Sequence, residues 1–156
     1  MDAWAQHVVE MVDRHGWMVQ RVVPQAGERP ELFAYTTGLS VTFDWPEMIC
    51  FGLDEMTMHA MLNGVVEACR KRGEIPHADM FIDDIIEDFP LKLVKAGPWV
   101  WSYVPWAMWL SDRLKAPHST LRCLQLVYPD SLGRFPDDPA CEQEARELQT
   151  PLVKAN

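Results

Sequence analysis

His59 and Asn63 lie four residues apart, a spacing that puts two side chains on one face of a helix. A histidine oriented by an amide is an acid or base candidate, and beside Met58 and Leu62 it would sit at the edge of a pocket. Tyr35, Thr37, Glu47 and Gln125 join the pair as pocket candidates. Each is a polar residue in a segment otherwise apolar enough to be buried, where it needs a hydrogen-bond partner or a ligand. Asp130 and Arg134 flank Gly133 and can pair across a turn at the end of the last apolar run, or face a ligand there. A second candidate surface is aromatic: Trp99, Trp101, Trp106 and Trp109. Tryptophan is favoured in cores and at binding hot spots alike, because it buries a large ring and keeps one N–H to satisfy.

Other chemistries find no support. His7, His15, His77 and His118 show no metal-ligand spacing, and Asp83, Asp84, Glu87 and Asp88 read as the solvated face of a helix, so no metal and no cofactor is expected. The chain has no G-x-S-x-G and no phosphate-binding loop. Its formal charge of −9 speaks against nucleic acid and against an anionic membrane surface. The uncharged stretch 96–111 is too short to span a bilayer and is interrupted by Pro98 and Pro105, so it is expected to be buried or to face a partner. Cys50, Cys69, Cys123 and Cys141 form no C-x-x-C, and the N-terminus is amphipathic and charged throughout, unlike a signal peptide. Free thiols in a cytoplasmic protein are the expectation.

These residues need elements to position them. Trp4, Val8, Met11 and Val12 predict an N-terminal helix over 1–15, ending at Gly16. Strands are predicted at 17–23, 31–39, 47–53, 91–96 and 121–129, with "SVTFDWP" turning the chain between the second and third. On alternation, Phe33, Tyr35 and Thr37 share one face of their strand. Asp54 caps a helix whose apolar stripe is Met58, Met61, Leu62, Val65, Val66 and Cys69, closed by "RKRG". A short helix is expected in "FIDDIIEDFP", another from Ser102 with Pro105 in its first turn, and one at 142–148 in a surface tail over 137–156. Residues 99, 101 and 103 alternate as in an extended segment. The order of elements predicts one α+β domain over 1–156, with a mostly antiparallel sheet of about five strands and helices packed on one face. A chain of 156 residues, 48% of them hydrophobic, suffices for a single core.

The segments "HGWMVQRV", "FAYTTGL", "PEMICFGL", "HAMLN", "LQLVYPDSLGRFPDD" and "LQTPL" occur in this order from about residue 16 to 152. Together they resemble the domain-of-unknown-function 4262 family of small bacterial and phage proteins. The resemblance implies motif positions at Tyr35, Thr36, Gly38, Leu39, Pro46, Glu47, Gly52, Leu53, His59, Leu62, Asn63, Gln125, Pro129, Asp130, Gly133 and Pro136. It brings no activity, substrate or cofactor. The chain departs from the pattern at Asp137, where Trp is expected, and at Trp45, where a small residue or His is commoner.

Two readings follow. The first is a protein-binding or regulatory module in the manner of small acidic immunity or anti-defence proteins, meeting a protein partner through the Trp-rich segment. The second is a small-molecule binder or enzyme with a polar pocket around Tyr35, His59 and Asn63. It requires those side chains to converge on one cavity of at least roughly 300 Å³.

Overall fold

The computed structural model describes residues 2–24, 31–114 and 121–151. The elements run α1 (Ala3–His15), β1 (Met18–Val22), β2 (Phe33–Thr37), α2 (Leu39–Phe43), β3 (Glu47–Phe51), α3 (Glu55–Arg72), β4 (Phe81–Ile82), β5 (Leu91–Lys95), a 3₁₀ turn (Pro98–Ser102), α4 (Pro105–Leu114), β6 (Cys123–Val127) and α5 (Gln143–Leu148). Local chemistry sets the helix ends. The Asp2 carboxylate accepts from Ala5 N–H and that of Asp54 from Thr57 N–H, while Gly16 and Gly73 close their helices in the left-handed region. The apolar stripe expected on α3 is its buried face, residue for residue.

The strands form one sheet in the order β1-β2-β3-β6-β5-β4. Every pairing is antiparallel except β3 with β6. The fold is the expected α+β single domain, with six strands in place of five; the sixth is the two-residue β4.

Helices cover both faces of the sheet, not one. On the first face α3 packs over Val19, Ala34, Met48, Cys50, Leu93, Leu124 and Leu126. On the second face the 3₁₀ turn and α4 bury Phe33, Tyr35, Ile49, Phe51 and Cys123 beneath Val100, Tyr103, Val104 and Ala107. At the end of that layer Val8 and Val12 of α1 meet Met18 and Leu110. The reason lies in β2 and β3, whose residues are all buried, so both pleat faces need a cover.

Three local expectations are corrected. "SVTFDWP" holds a short helix, α2, rather than a simple turn. "FIDDIIEDFP" is no helix: β4 is followed by bends in which Asp84 and Asp88 take positive φ, and no regular ladder of helical bonds is compatible with that. Ile85 still packs inward, against Gly64 of α3. Residues 99 and 101 lie on a 3₁₀ turn that Tyr103 caps, not on an extended segment. Among the described residues, no helix is long and apolar enough to cross a membrane, and all four cysteines are free and buried.

Candidate functional site

The polar residues singled out from the sequence separate into several places. Glu47, at the start of β3, is fully enclosed. Its Oε1 accepts from Thr36 Oγ1 (2.7 Å) and Leu39 N–H (3.2 Å), and its Oε2 from Gly38 N–H (3.1 Å), Ser40 N–H (3.1 Å) and Ser40 Oγ (2.8 Å). Thr36 Oγ1 in turn accepts from Met48 N–H, at 2.9 Å. One carboxylate thus collects the otherwise orphaned N–H groups that open α2. Burial pushes the Glu47 carboxyl above its ordinary range, and the donors from Ser40, Thr36 and Gly38 pull back against it. Gly38 completes the arrangement at φ +111°, and a Cβ there would stand 2.8 Å from Val12 Cγ2. Every hydrogen bond of this cradle ends inside it. Glu47 is a structural anchor that ties β2, α2 and β3 together.

Tyr35 lies on the second face of the sheet, stacked beside Phe33 and beneath α4. Its hydroxyl accepts from Trp106 N–H at 3.3 Å, and burial pushes the phenol well above its usual value. It lines a cleft of about 420 Å³ with Val22, Glu31, Phe33, Tyr103 and Trp106. Thr37 is fully buried, and its hydroxyl has no partner among the described residues. Gln125, also on the second face, donates from Nε2 to Gln149 C=O at 2.7 Å. The Gln149 side chain binds the main chain of Tyr128 on both sides, accepting from its N–H and donating to its C=O, each at 2.9 Å. The segment expected to be a surface tail therefore places a buried amide at the end of β6. Asp130 and Arg134 pair as expected, Nε to Oδ2 at 2.9 Å. Burial of Asp130 opposes its ionisation, but N–H groups of Arg134, Glu142 and Leu132 and the Arg134 guanidinium hold its carboxyl far below the usual range.

His59 and Asn63 stand elsewhere, on the α3 side of the sheet. Trp17 Nε1–H donates to Asn63 Oδ1 at 2.9 Å, and Asn63 Nδ2 lies 3.4 Å from His59 Nε2. Tyr35 and His59 therefore do not converge: β1 and β2 separate them, and the pocket expected around Tyr35, His59 and Asn63 divides in two.

The half that holds His59 and Asn63 is a cleft of about 820 Å³. One wall is α1, through Trp4, His7, Met11, Arg14 and His15. The other is α3, through Glu55, His59, Asn63, Glu67 and Arg70, a row spaced at four, four, four and three residues along one helix face. Between them lies β1. Met18, Val19, Gln20 and Arg21 are consecutive and all line the cleft. Neighbouring side chains of a strand point to opposite faces, so what these four share is the strand's outer edge. Three arginines face two glutamates here, in a chain of net charge −9. The Arg70 guanidinium sits 5.6 Å from the Trp17 ring centre and 3.5 Å from Glu67. Among the described residues Arg21 reaches only the sulfur of Met56. Among the described residues no three His, Cys, Asp or Glu side chains are gathered to hold a metal.

The tryptophans divide as well. Trp99 packs edge-on against Tyr103 and beside Phe51, within the second core layer. Trp106 and Trp109 meet edge to face, half-buried against α1. Trp101 alone of the four is exposed.

Residues 11–142 match the family described as Domain of unknown function (DUF4262). The chain belongs to this family. No curated protein and no solved structure matches it. The matched span holds Glu47, His59, Asn63 and β1, and ends before α5 and Gln149. Sequence reasoning found His59 and Asn63 through their spacing. It missed Trp17, Arg14, Arg21 and Arg70, because only the placement of β1 at the edge of the sheet brings them to the same cleft.

Proposed function

We propose that this DUF4262 protein is a protein-binding module and that its partner surface is the cleft between α1, β1 and α3, rather than the Trp-rich segment. One observation carries the reading. The Glu47 cradle, the Gln125–Gln149 pair and the Asp130 turn consume their own hydrogen bonds, whereas the cleft presents Arg14 and Arg21, neither with a carboxylate partner among the described residues, and an open strand edge. Interfaces favour Trp and Arg in such settings, and Trp4, Trp17 and Arg70 supply them. The four free thiols suit a reducing cytoplasm. A regulatory role of the immunity or anti-defence kind remains the biological setting proposed for it.

The test is site-specific photocrosslinking in the producing cell. A benzophenone side chain at the position of His59 is expected to capture a discrete partner that the same group at Trp101 does not. Capture at Trp101 alone would return the partner surface to the aromatic segment, and capture at neither position would end this reading.

A small-molecule ligand is the second reading, favoured by the Trp17–Asn63–His59 chain in the cleft wall and by a volume within the usual range for such sites. It no longer includes Tyr35. A retained small molecule in native mass spectrometry, lost on Asn63→Ala, would support it.

A further inference from the structure

Among the described residues, β1 is the end strand of the sheet and pairs only with β2. Beyond those bonds, the main chain of Met18–Val22 has no main-chain partner among the described residues. An open strand edge is a template for another strand, and folded proteins ordinarily blunt it or cover it. Here α1 and α3 stand on either side of the edge without closing over it, and the cleft runs along it.

The cleft also has the shape for a strand. From Trp4 to His15 the α1 wall is ~16 Å long, and the α3 wall from Glu55 to Arg70 is ~22 Å. An extended segment of about six residues covers ~20 Å. Its charge is as specific. Arg14 on one wall, Arg70 on the other and Arg21 on β1 itself surround the edge, while Glu55 and Glu67 are confined to the α3 wall. Neither Arg14 nor Arg21 has a carboxylate partner among the described residues. A second copy of this chain adding its own β1 would bring Arg21 towards Arg21 and arginine-rich walls together, which like charges oppose.

We propose that β1 accepts an extended acidic segment of a partner protein as a seventh strand, main-chain bonds fixing it to the edge while its carboxylates meet Arg14, Arg21 and Arg70. This rests on the reading of the cleft as the partner surface. Main-chain pairing supplies affinity independent of sequence, and the arginines select acidic over basic segments.

The experiment uses the full chain and labelled peptides of about eight residues, read by fluorescence anisotropy. The parent probe alternates Glu and Val, and a control alternates Lys and Val. Two further Glu/Val probes carry N-methyl groups on the odd or on the even backbone nitrogens. Only one set of a strand's N–H groups points to its neighbour. The expected result is that the Glu/Val probe binds, the Lys/Val probe does not, and one N-methyl series weakens binding about tenfold or more while the other stays within about threefold. Arg14→Glu with Arg21→Glu should abolish binding of the acidic probe and admit the basic one. Amide exchange at Val19–Arg21 should slow in the complex. Equal binding of both N-methyl probes would overturn strand addition and leave a charge-selective partner cleft standing. Absence of binding by every probe, with crosslinking at His59 intact, would overturn strand addition alone. Concentration-dependent dimerisation blocked by Arg21→Glu would assign the edge to a second copy instead.

Discussion

The Glu47 cradle and the α1–β1–α3 cleft are both polar places in an apolar frame, and they differ in where their hydrogen bonds end. Glu47 takes five bonds from four neighbours, all within reach of one turn of chain, and nothing is left over for a ligand. In the cleft the polar groups are drawn from three elements, and several reach only weak partners, such as the sulfur that receives Arg21. A buried polar cluster that closes on itself holds a fold together. One that stays open is available for recognition, at little cost to the fold because water satisfies it meanwhile.

The sharpest test of that contrast removes Glu47. Glu47→Ala leaves the N–H groups of Gly38, Leu39 and Ser40 buried without an acceptor, and the expected loss is about 3 kcal/mol or more in urea unfolding. Glu47→Gln keeps the shape but sets an NH₂ against donors, so it should recover only part of that loss. The pH dependence carries a second signature. Because burial raises the folded-state value of this carboxyl, its contribution is fully present below the ordinary Glu value and is lost as pH rises through the raised one. Asp130 works in the opposite sense: held low in the fold, it stabilises above the ordinary Asp value, and that is lost as pH falls. The stability difference between wild type and Glu47→Gln should therefore shrink from pH 4 to pH 7, while that between wild type and Asp130→Asn should grow as pH rises from about 2 to about 4 and then level off. Slopes of the same sign would break the account of one of the two sites.

A smaller loss is expected at Gly52. It has φ +90°, and a Cβ there would stand 2.6 Å from Leu148 C=O and 2.8 Å from the Tyr128 hydroxyl. That hydroxyl donates to Phe51 C=O at 2.9 Å, so the clash falls where α5 docks on the sheet. Gly52→Ala should cost about 1–3 kcal/mol and release α5, seen as faster amide exchange around Gln149. An unchanged exchange pattern would mean that the C-terminal segment is held by something other than this contact.

How far the sequence went follows from the range of the forces involved. The stripe and caps of α3 were legible because a helix is specified by neighbours a few residues apart. Strand positions were legible for the same reason. The two covered faces were written in the consecutive apolar residues "FAY" and "MICF", although alternation on a one-faced sheet was the simpler assumption. The bends after β4 were not legible, because Ile82, Ile85 and Ile86 have helical spacing whether or not Asp84 turns left-handed. His59 and Asn63 could be paired from sequence. Their bond to Trp17 could not, since it joins positions 46 residues apart. Nor could the cleft, which needs β1 at the end of the sheet with α1 and α3 on either side of it.

Within the cleft the expected stability effects are modest. Asn63→Ala breaks the bond from Trp17 in a half-buried place that water enters, so a loss near 1 kcal/mol is expected. Its larger effect should be on partner capture at His59, because the amide orients both the indole and the imidazole. A loss comparable to that of Glu47→Ala would place Asn63 with the self-closed clusters and erase the contrast drawn above.

The smallest change in stability is expected from Arg21→Glu. Arg21 is exposed and without an ion pair among the described residues, so reversal should alter unfolding by less than about 0.5 kcal/mol. Trp101→Ala, equally exposed but far from the cleft, serves as its control. If the cleft is the working surface, the two variants should unfold alike yet differ in function, Arg21→Glu losing capture at His59 and Trp101→Ala retaining it. The pair separates recognition from folding because neither side chain supports the core. Loss of capture in Trp101→Ala with Arg21→Glu unaffected would move recognition to the aromatic segment, and β1 would then be an edge kept apart from other strands by the charge it carries.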